Sequence, residues 1–350
     1  MSDAIITFPI LGEGFRLDFK PYFTLFGRNF YWYGVIIAVG FLLAVFYAMK
    51  RSRDFGLNED SVIDMLIYTV PPAIIFARIY YVILYWNEGG YAKDIVSIIK
   101  IWEGGLAVYG GLIGGFLGLI LFTRVKKIKF GPMADVGALG MMIGQAIGRW
   151  GNFTNREAYG VKTNVPWKMG LTNQYGTFYF HPCFLYESLW NILGLILLHF
   201  YSKKRRKYDG QIFLMYIVWY GIGRLFIESL RTDSLYLFGT GIRASQLVAV
   251  ICILLGGGVM IYNKLAKHYE PEDLWVNREK KAEIIAAEEE ASRLKKLEIE
   301  KEEFDEELSD AFRMLLYKQT VKDTEVELIP EEPAVEPVEV FLSESDDDKE

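Results

Sequence analysis

The chain has 350 residues, of which 52% are hydrophobic, 15% aromatic and only 23% charged, and its mean hydropathy is +0.17. Residues 271–350 carry 27 Asp/Glu against 11 Lys/Arg, whereas residues 1–270 carry 17 against 27. A basic, apolar body joined to an acidic, solvated tail excludes a single globular domain, a collagen-like chain and a secreted disulfide scaffold. It marks a membrane protein. Cys183 and Cys252 lie in or beside apolar runs and read as packing residues, and the scattered His181, His199 and His268 have no zinc-ligand spacing.

A bilayer core about 30 Å thick needs about 20 apolar residues to cross it as a helix. Taken in chain order, spans are predicted near 31–49, 62–86, 105–123, 133–149, 183–201, 211–230 and 244–263. The second carries Pro71-Pro72 and Arg78, and the fourth carries Asp135 and ends at Arg149. Cations cluster after the odd-numbered spans: Lys50, Arg51 and Arg53, then Arg124 to Lys129, then Lys203 to Lys207, then Lys264 and Lys267. Loops rich in Lys and Arg stay in the cytoplasm. The predicted fold class is therefore an all-α polytopic membrane protein with seven transmembrane helices, the N-terminus outside, the C-terminus cytoplasmic, and a charged cytoplasmic tail.

The predicted boundary falls at residue 270. Residues 1–270 form the seven-span membrane domain, and 271–350 the acidic tail, helical near 279–318 and disordered after it. In that helix Leu294, Leu297, Phe304, Leu308, Phe312 and Leu315 recur at helical spacing. It reads either as a partner-binding or coiled-coil helix, its partner unknown, or as a loosely ordered charged helix.

Charged groups inside a membrane cost several kcal/mol, so each one invites a functional reading. The densest group is GRWGNFTNREAYG, residues 148–160, at the outer end of the fourth span. It presents Arg149, Asn152, Asn155, Arg156, Glu157 and Tyr159 between Gly148, Gly151 and Gly160. A guanidinium offers a rigid fork of donors suited to phosphate. A lone arginine here reads rather as snorkelling to the interface; the whole cluster reverses that balance and favours an anion site. A second group is YGIGRLFIESLR, residues 220–231, where Arg224, Glu228 and Arg231 share one helical face. It reads either as a self-neutralising pair that fixes helix packing or as an arginine oriented toward an anionic ligand.

The glycine run GGLAVYGGLIGG, residues 104–115, lacks the strand–turn–helix context of a phosphate loop and reads as a close-packing helix face, with Tyr109 in its middle. Arg78, Asp135, Glu187 and Tyr33 complete the polar groups in or beside spans. Asp135, at the start of its helix, reads as structural through the helix dipole. His181-Pro182 opens the fifth span, with Tyr186-Glu187 one turn in.

GRWGNFTNREAYG closely resembles the signature of the prolipoprotein diacylglyceryl transferases, bacterial membrane enzymes. YGIGRLFIESLR, the glycine run, WYG at 32–34 and HPCFLYE at 181–187 occur in the family's order, and the resemblance covers about residues 25–265. It implies a multi-pass enzyme of the bacterial plasma membrane with its catalytic domain in residues 1–270. The implied reaction moves the diacylglyceryl group of phosphatidylglycerol to the lipobox cysteine thiol of a prolipoprotein signal peptide, forming a thioether and releasing glycerol phosphate. It further implies Arg149 and Arg224 as catalytic residues. Tyr33, Tyr109, Asn152, Glu157, Gly160, Glu228 and Arg231, with Arg149, are implied to bind substrate. Membrane lipids are partners; no cofactor, metal or nucleic acid is implied.

Two positions depart from the family pattern. Tyr109 stands where many members have His, and a phenol with a reference pKa of about 10 is a poor base at neutral pH. Tyr109 is thus assigned to positioning and the base for the thiol is left open. Ala138-Leu139 stands where the family often has Ala-Pro. The alternative reading, from the residues alone, is a transporter or flippase for an anionic lipid or solute, using the same arginines between glycine-broken helices.

Overall fold

The structure, a computed structural model, describes residues 4–326 apart from 13, 90, 93 and 237–239. Its body contains the helices α1 (Trp32–Ser52), α2 (Glu59–Leu84), α3 (Val108–Val125), α4 (Phe130–Asn155), α5 (Cys183–Lys204), α6 (Gln211–Leu230) and α7 (Ala244–Ala266). Six of these, α1, α2, α3, α5, α6 and α7, are long and apolar enough to cross a membrane. The chain is an all-α polytopic membrane protein.

The fourth expected span corresponds to α4, which is long enough at 26 residues but carries Asp135, Gln145, Arg149 and Asn152. It packs against α1, α5 and α6, and its Met133, Val136, Leu139 and Met142 are wholly buried. A helix enclosed by neighbours needs little lipid-facing surface and tolerates polar groups turned inward. Its hydropathy is low for that reason.

Pro71 and Pro72 do not interrupt α2. Pro72 has no N–H to offer the carbonyl of Tyr68, and that oxygen lies instead against Gly118 of α3, 2.3 Å from where a Cβ would sit. Gly114 and Gly110 meet the carbonyls of Pro72 and Phe76 in the same way. The glycine run is a close-packing face, as its spacing predicts.

Two small antiparallel sheets join the helices and are not foreshadowed by hydropathy. The first comprises β1 (Ile5–Thr7), β2 (Arg16–Leu17), β5 (Met169–Asn173) and β6 (Gly176–Phe180) in the order β2-β1-β5-β6. The second is the hairpin of β3 (Tyr22–Leu25) and β4 (Arg28–Tyr31), which runs directly into α1. Ile6 of β1 faces Leu171 of β5, and both side chains are buried. Arg156 ends α4 in the left-handed conformation with φ 55°. Its guanidinium donates to the carbonyls of Ala4, Phe19 and Thr154 and stacks 4.6 Å from the Phe19 ring. It clasps the N-terminal segment to α4.

At the opposite end of α4, Asp135 accepts from the backbone N–H groups of Gly210 and Phe213 at 2.9 and 2.8 Å. The carboxylate is structural, but it caps α6 rather than its own helix. Trp275, first residue of α8 (Trp275–Val326), donates its indole N–H to the Gly56 carbonyl at 3.0 Å, and its backbone N–H to Asp209 at 3.0 Å. Burial raises the Asp209 carboxyl above its ordinary range despite that bond. These contacts carry the first compact unit to Ala282, past the expected junction at 270; the second unit begins at Glu283. Residues 319–326, expected to be disordered, continue α8 as helix; the rest of that segment, from residue 327, lies outside the described residues.

Candidate active site

The end of α4, the start of α5 and the end of α6 meet at one end of the bundle. Two sets of contacts fix their registers. Between α4 and α5, Ser188 donates to the Ala146 carbonyl at 2.8 Å and accepts from the Trp150 indole at 3.2 Å. Between α5 and α6, Trp190 and Trp219 stack with ring centres 4.2 Å apart, and each indole donates to the other's carbonyl at 3.0 Å. Gly223 and Gly194 make room for these rings: an added Cβ would lie 2.2 Å from the Trp190 indole nitrogen and 2.3 Å from that of Trp219.

Those registers bring three arginines to one carboxylate. Glu187, in the first turns of α5 and 7% exposed at its side chain, pairs with Arg149 at 2.5 Å, Arg224 at 3.2 Å and Arg231 at 3.2 Å. Arg224 also pairs with the buried Glu228 one turn along α6, at 2.7 Å. Arg231 forms a two-pronged bridge to Asp233 at 2.9 and 2.7 Å. Burial would raise the Asp233 carboxyl, but the Arg231 bridge outweighs it and holds the group below the ordinary carboxylate range.

The remaining predicted residues surround this core. Asn152 receives the Arg149 guanidinium at 3.5 Å and donates to Glu157 at 2.8 Å. Tyr33, at the start of α1, lies over Gly151, where a Cβ would be 2.7 Å from its ring. Gly160 bridges to Arg231, and a Cβ there would meet Cys183 Sγ and His181 Cβ at 2.8 Å. Tyr109 on α3 is within electrostatic reach of Tyr220, Arg224 and Glu228. All nine predicted residues therefore belong to one neighbourhood. A cavity of about 720 Å³ lined by Lys129, Asp209, Lys267 and Arg278 lies at the other end of α4 and includes none of them.

Two groups named in passing by sequence reasoning take different places. Glu187 is the centre of the cluster, although the sequence reading counts it only among the polar groups in or beside spans; its signal is that it is the sole carboxylate in α5. Arg156, inside the signature, is turned away into the N-terminal clasp. His181 sits at the rim, its Nδ1 sharing a hydrogen bond with the Tyr186 hydroxyl at 3.0 Å, and burial lowers its imidazole pKa, favouring the neutral form.

Chemically, the arrangement is a set of pre-oriented cations. Guanidinia held by buried carboxylates keep their charge and fixed geometry, and their unused donors can face an anion without reorganising. No metal-ligating cluster is present among the described residues.

Comparison with known proteins agrees with this chemistry. Residues 21–262 match the family described as prolipoprotein diacylglyceryl transferase. The phosphatidylglycerol–prolipoprotein diacylglyceryl transferase of Listeria welshimeri is 46% identical over 242 residues, spanning 67% of this chain and 86% of that protein. Its namesake in Clostridioides difficile is 43% identical over 245 residues, spanning 70% and 94%. That of Finegoldia magna is 43% identical over 234 residues, spanning 67% and 91%. With a match that runs from before α1 into the last turns of α7 and includes every residue of the arginine cluster, the chain belongs to the prolipoprotein diacylglyceryl transferase family.

Proposed function

We propose that the arginine cluster is the reaction centre of this enzyme and that Glu187 holds it together. As a member of its family, the chain transfers the diacylglyceryl group of phosphatidylglycerol to the lipobox cysteine of prolipoproteins. In that reaction a carbon–sulfur bond forms while the bond from the glycerol carbon to a phosphate oxygen breaks. Glycerol phosphate leaves with the electron pair, and the thiol surrenders its proton. Negative charge therefore builds on the departing phosphate, and fixed cations aimed at it stabilise the transition state more than the ground state.

The three arginines divide this work by how far they are committed. Arg231 spends its donors on Glu187 and Asp233 and is 11% exposed at its side chain, whereas Arg149 is 23% exposed and has one close ion pair. Arg149 thus meets the phosphate, Arg224 supports it from α6, and Arg231 positions Glu187. Asn152 and Glu157 orient the head group, Gly160 admits the close approach of the α6 end, and Tyr33 and Tyr109 line the substrate path. The same cations lower the pKa of an incoming thiol, which reduces the demand on any base.

In this reading α4 is a seventh span, shielded by α1, α5 and α6. The N-terminus lies outside and the C-terminus in the cytoplasm of a bacterial plasma membrane, which puts the cluster toward the outer leaflet. The observation that carries the proposal is the convergence of three guanidinium groups on one buried carboxylate. The test is a purified-enzyme assay with phosphatidylglycerol and a lipobox-cysteine peptide, following peptide mass and released glycerol phosphate. Wild type should yield diacylglyceryl peptide, and Arg149→Ala and Arg224→Ala should not. Equal product from folded Arg149→Ala enzyme would remove the cluster from the chemistry.

A further inference from the structure

We propose that the second unit's part of α8 is a docking helix for a basic amphipathic helix of another protein. Within it, Leu294, Leu297, Phe304, Leu308 and Leu315 form one seam at alternating three- and four-residue steps, with Lys301 and Ala311 in the intervening positions. These five apolar side chains are 51–64% exposed. A long helix in water draws most of its stability from burying such a face, so an exposed seam on a helix this long calls for a partner.

Charge decides which partner. Glu298 and Asp305 flank the seam on one side, and Arg293, Glu300 and Glu307 flank it on the other, a net charge of −3. In a parallel pair of copies, each flank meets the opposite flank of its partner; in an antiparallel pair, each meets its own kind. Two copies bring like net charge together: in a parallel pair Glu300 meets the second copy's Asp305 and only Glu298 gains a cation, Arg293, whereas a Lys- or Arg-bordered seam meets all four acids with opposite charge. Among the described residues of this unit, the one ion pair is Asp310–Arg313 at 3.4 Å, and it involves none of these four acids. A negatively flanked seam also repels an anionic membrane surface. An apolar seam bordered by Lys or Arg satisfies both features, and Lys301 within the seam would fix its register at some cost in affinity.

The full-length protein in detergent micelles supplies the test, with fluorescent peptides of about four heptads as probes. One probe carries Leu at the seam positions and Lys on both flanks; a second has the same residues scrambled to destroy the seam; a third replaces Lys by Glu. The Lys-flanked probe should bind, more weakly as salt rises, and the scrambled probe at least about tenfold more weakly. The Glu-flanked probe should not bind. F304Q/L308Q, which keeps good helix formers, should weaken binding at least about tenfold while helix content and transferase activity stay unchanged. E300K/E307K should weaken the Lys-flanked probe and admit the Glu-flanked one. Equal binding of the scrambled probe would reduce the effect to bulk charge attraction and overturn the proposal. A concentration-dependent dimer abolished by F304Q/L308Q would overturn it in favour of self-pairing.

Discussion

Arg149 and Glu187 meet at 2.5 Å across the α4–α5 interface, tying the end of the signature helix to the first turns of the next span. The neighbouring Trp150–Ser188 hydrogen bond holds the same two turns in register. Because Glu187 also receives Arg224 and Arg231, three guanidinium groups from α4 and the end of α6 share one negative charge. A displaced carboxylate would release all three.

Replacing Arg149 by Lys keeps the charge and loses the planar fork. If Arg149 meets the departing phosphate, R149K lowers kcat about 10²-fold with a smaller change in KM. R231K, at a positioning residue, lowers kcat by about tenfold. Steady-state assays with the lipobox peptide read both, and the order R149K below R231K is the expected outcome.

Gly160→Ala places a methyl group 2.8 Å from Cys183 Sγ and His181 Cβ, and 3.0 Å from the Leu230 carbonyl. Such overpacking costs about 1–3 kcal/mol. Gly137, with open space around its Cα in the middle of α4, is the control, since Gly137→Ala gains helix propensity of up to about 1 kcal/mol. Thermal unfolding in detergent should show G160A below wild type and G137A at or above it.

The Arg231–Asp233 bridge predicts an acid-sensitive term in stability. The Asp233 carboxyl is held below its ordinary range by Arg231, so near that range the folded protein binds fewer protons than the unfolded chain. The stabilisation is complete above the unfolded pKa of about 3.9 and is lost as pH falls through the lower folded value. D233N removes it. Melting temperatures of wild type and D233N should differ at neutral pH and converge in strong acid; a constant gap would contradict the assignment.

The nucleophile is the substrate's thiol, so the chain's own cysteines have no chemical part. Cys183 is buried and Cys252 half-buried, and neither forms a disulfide. C183A/C252A should retain transfer activity within about a factor of three for folded protein, with some loss of thermal stability from the buried Cys183 site.

Apolar runs made α1, α2, α3, α5, α6 and α7 legible to within a few residues, since lipid-facing helices must advertise themselves in composition. α4 was legible as a weaker apolar run, diluted by Asp135 and Arg149, because neighbouring helices enclose much of its surface. β1 pairs with β5 more than 160 positions away in strands of 3 and 5 residues, too short for any periodic pattern. Spacing along α6 placed Arg224, Glu228 and Arg231 on one face, but no spacing within a helix reveals which carboxylate on another helix they meet. Glu187 was visible as a charge and hidden as a hub for that reason. Arg156 was hidden in the opposite sense: its left-handed backbone turns it from the cluster that its sequence neighbours build.

The most direct test of the account is the rate of diacylglyceryl transfer by Glu187→Gln and Glu187→Asp enzymes, followed by peptide mass alongside thermal unfolding. Glutamine keeps the size and removes the charge that gathers Arg149, Arg224 and Arg231; aspartate keeps the charge and withdraws it. The account predicts a fall of about 10²-fold or more for folded E187Q and a partial loss for E187D. Wild-type rates from folded E187Q would contradict the claim that Glu187 organises the reaction centre.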